Sequence, residues 1–307
     1  MTVSTNQRIA LGTAQFGLNY GITNTRGRLG NDTAQEVLAE AAACGWTLLD
    51  TAGGYGDSEE RLGLLLGGQP DAPWEIITKT PAIHKRCFGA DDLEPFQVAW
   101  ARSRSRLGIR HGQPAALLVH HADDLLVPGG ERLHDWLLAL REEGTATRVG
   151  VSVYDEEQVD ALFSLYGRAE RPFDIVQVPA SIADQRLVRG PAAQALHNMG
   201  VEIHARSLFL QGLLLAPPSF VESRFTGSGE WVRRLQNWSQ QQGMSPVQAC
   251  MSFFRSNPAL GVAVIGVTRA EELRQIAKAL ASAPVLDWSG WANDDPAWID
   301  PRRWGGA

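Results

Sequence analysis

The sequence predicts an α/β protein: a closed (β/α)8 barrel (TIM barrel), read as one domain over residues 1–307 with repeat units across about 8–280. Three observations carry this. About eight short apolar runs alternate with helix-like segments. The runs are continuously apolar rather than alternating, as strands buried on both faces are. The competing open, doubly wound sheet usually carries a glycine-rich phosphate fingerprint after its first strand. Neither G-x-G-x-x-G nor G-x-x-x-x-G-K-[ST] occurs in the chain. Parallel strands joined by helices, buried on both faces and lacking that fingerprint, point to closure.

The elements follow in order. Residues 8–12 read as a strand ending in a Gly-Thr turn, before the glycine-bounded loop Thr13-Ala14-Gln15-Phe16-Gly17. Thr33-Ala34-Gln35-Glu36 has capping-box spacing. The helix after it gathers Val37, Leu38, Ala41 and Ala42 on one side and stops at Gly45. Leu48 and Leu49 form the second strand, residues 58–66 a helix, and 76–79 the third strand. Residues 92–107 read as a helix, 115–119 as a strand before His120, and 132–142 as a helix. A strand at 148–153 carries Ser152, and Asp155 caps a helix that Gly167 ends. Residues 174–178 form a strand with Gln177, 192–199 a helix, and 201–205 a strand running into Arg206-Ser207. Ser245-Pro246-Val247-Gln248 joins an N-cap serine to a first-turn proline, a strong helix start. Residues 262–265 are the last strand, and Thr268-Arg269-Ala270-Glu271 opens a helix to Leu280. Two parts fall outside the repeat: a loop at 217–229, and a tail at 283–307 holding four of the ten tryptophans.

Composition narrows the function classes. Of 307 residues, 44% are hydrophobic and 20% charged, which is ordinary for a globular chain with a sizeable core. The net charge is −6 with no basic run, so a nucleic-acid partner has no electrostatic footprint. Cys44, Cys87 and Cys250 are too few and too scattered for a disulfide framework or zinc site. His84, His111, His134, His197 and His204 show no metal spacing, so no metal is expected. Residues 1–8 lack an apolar signal core, and the apolar stretch at 208–217 is too short to span a bilayer. A cytoplasmic protein with no membrane role is expected. Oligomeric state is not legible.

Chemistry concentrates at strand ends. Asp50, Lys79 and His120 each close an apolar run, and Tyr55 lies on the loop just past Asp50. In a barrel these ends share the catalytic rim. A phenol titrates near ~10 and needs help to move protons; a neighbouring ammonium lowers that value. A carboxylate facing the ammonium keeps it charged and aimed. A histidine can orient a carbonyl. The set suits protonation of a carbonyl oxygen, with hydride from a cofactor, since none of these side chains is a hydride source. The bland alternative for Asp50 and Lys79 alone is a structural ion pair. Asp123 or Asp124 with Asp50 could also pair as glycosidase carboxylates, but that would leave the Tyr55–Lys79 pair without use. His121 is expected to point away from His120.

In order and context, Asp50, Tyr55, Lys79 and His120 resemble the catalytic tetrad of the aldo-keto reductases. The words Leu49-Asp50-Thr51-Ala52, Tyr55-Gly56-Asp57-Ser58-Glu59 and Thr78-Lys79 share the resemblance, which runs from about residue 9 to 280. It implies the (β/α)8 barrel and NADPH, or less often NADH, laid across the rim. It also implies reduction of a small-molecule aldehyde or ketone to an alcohol, with Tyr55 donating the proton, Lys79 tuning it, Asp50 holding Lys79 and His120 orienting the carbonyl. It places Gly12, Thr13, Ser152 and Gln177 against the cofactor, the last two on the carboxamide. Asparagine usually follows that serine; Val153 stands here. Arg206 takes the place of an aromatic that stacks under the nicotinamide. Ser207, Leu208 and Gly212 correspond to the pyrophosphate loop, and Gly266, Thr268, Arg269 and Glu272 to the adenosine ribose segment. Arg269 or Arg274 would pair with a 2′-phosphate, whereas Glu272 would suit the free hydroxyl of NADH. Phe16 and Tyr20 are expected on the substrate pocket wall. The words Leu11-Gly12-Thr13-Ala14-Gln15-Phe16-Gly17 and Asn19-Tyr20-Gly21 are similar to bacterial members associated with sugar or surface-polysaccharide metabolism. The alternative within the same resemblance is a non-catalytic, nicotinamide-binding redox-sensing subunit of a larger assembly.

Overall fold

A computed structural model describes residues 7–67, 74–110, 113, 115–167 and 172–304; His111 lies outside them. Eight strands form the sheet: β1 Arg8–Gly12, β2 Leu48–Asp50, β3 Glu75–Lys79, β4 Ala115–Val119, β5 Arg148–Ser152, β6 Ile175–Pro179, β7 Glu202–Arg206 and β8 Leu260–Gly266. Each pairs in parallel with the next, and β8 returns to β1 with Gly12 opposite Gly266. The expected closed barrel is what the chain forms. Because helices cover the outside, outward residues such as Leu11, Leu49, Leu117, Val151 and Val176 are as buried as the inward ones. That double burial is why the strands read as unbroken apolar runs.

Alternation along the strands stacks the inward side chains in layers drawn from alternate strands. The lowest layer is ionic: Arg8, Glu75, Arg148 and Glu202 from the odd strands, with Arg8–Glu202 at 2.7 Å and Arg148–Glu75 at 3.4 Å. Leu48, Ala116, Ile175 and Val262 from the even strands lie above it. Gly150 belongs to the next layer, where a Cβ would meet the Ile175 carbonyl oxygen at 2.3 Å. The upper layers bring Asp50 and Gln177, then Gly12, Lys79, Ser152 and Arg206, to the C-terminal rim. The fold thereby gathers most of the sequence-selected residues at one end.

The helices are α1 Ala14–Gly17, α2 Asn31–Ala43, α3 Ser58–Gly67, α4 Glu94–Leu107, α5 Asp123–Leu126, α6 Glu131–Glu142, α7 Glu156–Leu165, α8 Arg186–Arg189, α9 Pro191–Asn198, α10 Pro218–Arg224, α11 Ser228–Gln241, α12 Pro246–Ser256, α13 Ala270–Ser282 and α14 Pro296–Ile299. Asp155 and Ser245 cap α7 and α12 as expected, each side chain accepting from the backbone N–H three residues on. Helix α2 starts earlier than its capping-box spacing suggested, after extended Gly30. The 217–229 segment is not a plain loop: it carries α10 and the first turn of α11. Pro218 sits in the first turn of α10. The apolar stripe of α11 (Trp231, Val232, Leu235, Trp238) is diluted by arginine, asparagine and glutamine, which hid its period.

The tail packs on α11. Trp298 lies 5.2 Å from Trp231, Trp288 lies 5.3 Å from Trp238, and both tail rings are buried. Among the described residues no helix is long and apolar enough to cross a membrane.

Candidate active site

At the rim the ends of β2, β3 and β6 form a buried chain of polar contacts. Lys79 Nζ donates to Asp50 Oδ1 at 2.6 Å and to the Thr51 carbonyl at 3.1 Å. Gln177 Nε2 donates to Asp50 Oδ2 at 2.8 Å. Asp50 is thus satisfied on both oxygens, as a buried carboxylate has to be. Beside this chain Lys79 Nζ stands 5.3 Å from the centre of the Tyr55 ring, and His120 meets that ring edge-on with centroids 6.0 Å apart. The four tetrad residues therefore converge.

One expectation about them is corrected. No hydrogen bond joins Tyr55 to Lys79, whose ammonium is spent on Asp50 and Thr51. The phenol's pKa is raised, not lowered: burial is the largest cause, the Asp50 charge adds to it, and the opposing cation is Arg206. Tyr55 is held as the neutral O–H. Burial, and then the charge of Lys79, push His120 down to about 2, so its imidazole is neutral across the working pH range. His121 does not simply point away: its ring centre lies 5.1 Å from that of His120 and 4.8 Å from that of His84. Asp124 accepts from the backbone N–H groups of Ile83 and His84, and Asp123 from Gln158. Both are loop-holding acids, which removes the paired-carboxylate reading.

A groove of about 660 Å3 opens beside Asp50 and Tyr55 and runs to the start of α13; small-molecule sites span about 300–1,000 Å3. Gly12, Thr13, Tyr20, Gln177, Arg206, Ser207, Leu208, Gly212, Gly266, Thr268, Arg269 and Glu272 all line it. Lys79 and His120 border a second cavity instead, and two expected cofactor or substrate residues line neither. Phe16 is wholly buried in the core, because the short helix α1 turns it inward and gives the groove to its neighbour Gln15. Ser152 is buried and borders neither this groove nor the second cavity. That second cavity, about 320 Å3, opens beside Lys79, Thr80, Arg102, His120 and His121.

The groove's walls are shaped for a ligand. Ser207, Leu210, Gln211 and Gly212 all have positive φ (63°, 48°, 50° and 91°), a density of strain that marks functional loops. The loop after β1 reaches across: Ile22 N–H donates to Gln211 Oε1 at 3.2 Å and Thr23 Oγ1 to the Gln211 carbonyl at 3.0 Å. Gly212 lies under this strap, where a Cβ would strike Thr23 Oγ1. At the far end the Glu272 carboxylate accepts from Thr268 N–H at 2.8 Å and from Arg269 Nε at 3.2 Å. Arg274 is turned away to Glu40 and Glu271, at 2.6 and 2.9 Å, and does not line the groove.

Sequence reasoning missed three residues. Gln15 is 9% exposed, and its carboxamide oxygen has no hydrogen-bond partner. An amide inside a glycine-bounded, otherwise apolar loop was the available signal. Tyr154 carries Arg206 on one face at 4.1 Å and Arg302 on the other at 4.2 Å. Gln211 forms the clasp of the strap. No local pattern announces Tyr154 or Arg302, because their meeting depends on where the tail returns.

A family model described as the aldo/keto reductase family matches residues 8–292. The L-glyceraldehyde 3-phosphate reductases of Escherichia coli K12 and O157:H7 are each 24% identical over 294 residues, covering 85% of this chain and 81% of theirs. Two solved structures described as aldo-keto reductases from Pseudomonas aeruginosa superpose with TM-scores of 0.65 and 0.64, at 23% and 22% identity. They cover 92% and 90% of this chain, and 94% and 89% of those chains, a likeness of fold. The closed barrel and the family model matched over residues 8–292 show that this chain belongs to the aldo/keto reductase family, and it is an NAD(P)-dependent oxidoreductase.

Proposed function

We propose that the protein reduces an aldehyde or ketone to an alcohol, with Tyr55 as proton donor. The observation that carries this is the Tyr55 phenol on the wall of the groove, edge-on to His120 and beside the buried Lys79–Asp50–Gln177 chain. Bound there, a nicotinamide supplies the hydride. The residues fit such a group. Glycines 12 and 266 line the groove, and the Gln15 carboxamide, whose oxygen is unpartnered, lies against Gly266. The strained turn at 207–212 lies beneath the strap.

Tyr55 gives its proton to the carbonyl oxygen. Neutral His120 has one ring N–H to aim at the same oxygen. Lys79, fixed by Asp50 and the Thr51 carbonyl, fixes the floor under the phenol, and Arg206 is the cation whose charge favours the phenolate left after transfer. The name of the E. coli relatives supports an aldehyde bearing hydroxyls, in line with a sugar-like carbonyl. Tyr55→Phe is expected to bind cofactor as the wild type does and to lose at least about 100-fold in kcat. Fluorescence titration beside an absorbance assay checks both halves, and an active variant would sink the mechanism.

The resemblance carries NADPH; the arrangement at α13 supports NADH. The Glu272 carboxylate already takes Thr268 N–H and neutralises Arg269, so a 2′-phosphate would meet a like charge. Glu272→Gln is expected to shift the ratio of NADH to NADPH dissociation constants toward NADPH by about tenfold, or 1.4 kcal/mol.

A further inference from the structure

Arg206 is a charge without a counter-charge. Among the described residues it enters no ion pair; one N–H donates to the Val153 carbonyl at 3.0 Å, and a guanidinium has five. It is half-buried, it lines the groove that Tyr55 lines, and its field reaches Tyr55, Tyr20, His120 and His121. Of the other cations near the groove, Lys79 is committed to Asp50, Arg269 to Glu272, and Arg302 to Asp300 and Asp155, while Arg26, which also lines it, is exposed. Asp50 has both oxygens occupied and offers Arg206 nothing.

The guanidinium is also held still. One face rests 4.1 Å over Tyr154, whose opposite face is covered by Arg302 at 4.2 Å. Arg302 is in turn locked to Asp300 at 2.6 Å. A fixed, planar, weakly hydrated cation with spare N–H groups is built to receive an oxyanion, in one or two parallel hydrogen bonds.

We propose that Arg206 recognises an anionic group on the substrate, so that the protein acts on carbonyl compounds carrying a carboxylate or a phosphate. This rests on the reductase reading above and names its substrate class. Two matched pairs of aldehydes test it with reduced cofactor: glyceraldehyde against glyceraldehyde 3-phosphate, and butyraldehyde against succinic semialdehyde. At least one anionic member is expected to exceed its neutral partner by about tenfold or more in kcat/KM, chiefly through KM. The pair showing the difference tells phosphate from carboxylate. Arg206→Gln is expected to abolish that ratio, while Arg206→Lys, which keeps the charge, retains part of it. Equal kcat/KM within both pairs, or a ratio that survives in Arg206→Gln, overturns the proposal. A wild-type protein that binds no nicotinamide cofactor in a fluorescence titration, or turns over none of the four aldehydes, brings down the reductase reading itself.

Discussion

At the scale of single residues, burial acts on Tyr55 and His120 in opposite directions. Burial and Asp50 hold the phenol's pKa above its ordinary value of 10, so it stays protonated throughout the neutral range. The proposed reduction needs that protonated form and is expected to show no loss from Tyr55 below about pH 10. Alcohol oxidation needs the phenolate and is expected to rise about tenfold per pH unit over the same range. His120, pushed down to about 2, contributes no inflection between pH 5 and 8. Rate profiles in both directions check these slopes. That Asp50, Tyr55, Lys79 and His120 meet was legible because each follows an apolar run or its turn. What one dimension could not supply was which atoms touch. Lys79 binds Asp50 instead of the phenol, and α1 turns Phe16 into the core and Gln15 to the groove.

At the scale of elements, the strap and the strained turn depend on each other. Gln211 ties the β1 loop by two hydrogen bonds, each worth about 1 kcal/mol net. Removing the Gln211 side chain breaks one of them. Gln211→Ala is therefore expected to speed cofactor dissociation by several-fold in stopped-flow fluorescence, with little change in Tm. Gly150 makes a different demand, since any Cβ there would drive into the Ile175 carbonyl. Gly150→Ala is expected to cost about 1–3 kcal/mol in urea unfolding, as overpacked cores do. Strands and capped helices were legible because double burial and N-caps leave local signatures. The 217–229 segment was not: α11 buries one narrow stripe and shows mostly polar residues elsewhere.

At the scale of the whole molecule, the tail braces the outside of the barrel at α11 and the ionic base fills one end of it. Trp298 is 1% exposed against Trp231, and Trp298→Ala is expected to cost about 3–5 kcal/mol, measured by urea unfolding. The base has a pH signature. Burial pushes the Glu202 carboxyl up, but hydrogen bonds from His204 and Arg8 and the charge of Arg148 outweigh it and hold its pKa well below the ordinary value. A carboxyl lowered in the fold stabilises above its unfolded pKa of about 4.3 and loses that contribution as pH falls. Glu202→Gln is expected to lower stability at pH 7 by about 1–3 kcal/mol and to flatten its decline below pH 5. The tail's reach to the rim was beyond sequence reasoning, because Arg302 and Tyr154 lie far apart in the chain and meet only in the folded molecule.

The Arg8–Glu75–Arg148–Glu202 layer has a consequence for traffic. Among the described residues the inside of the cylinder is stoppered by ions at one end and filled above by apolar side chains, so whatever reaches the rim arrives from, and leaves to, the same side.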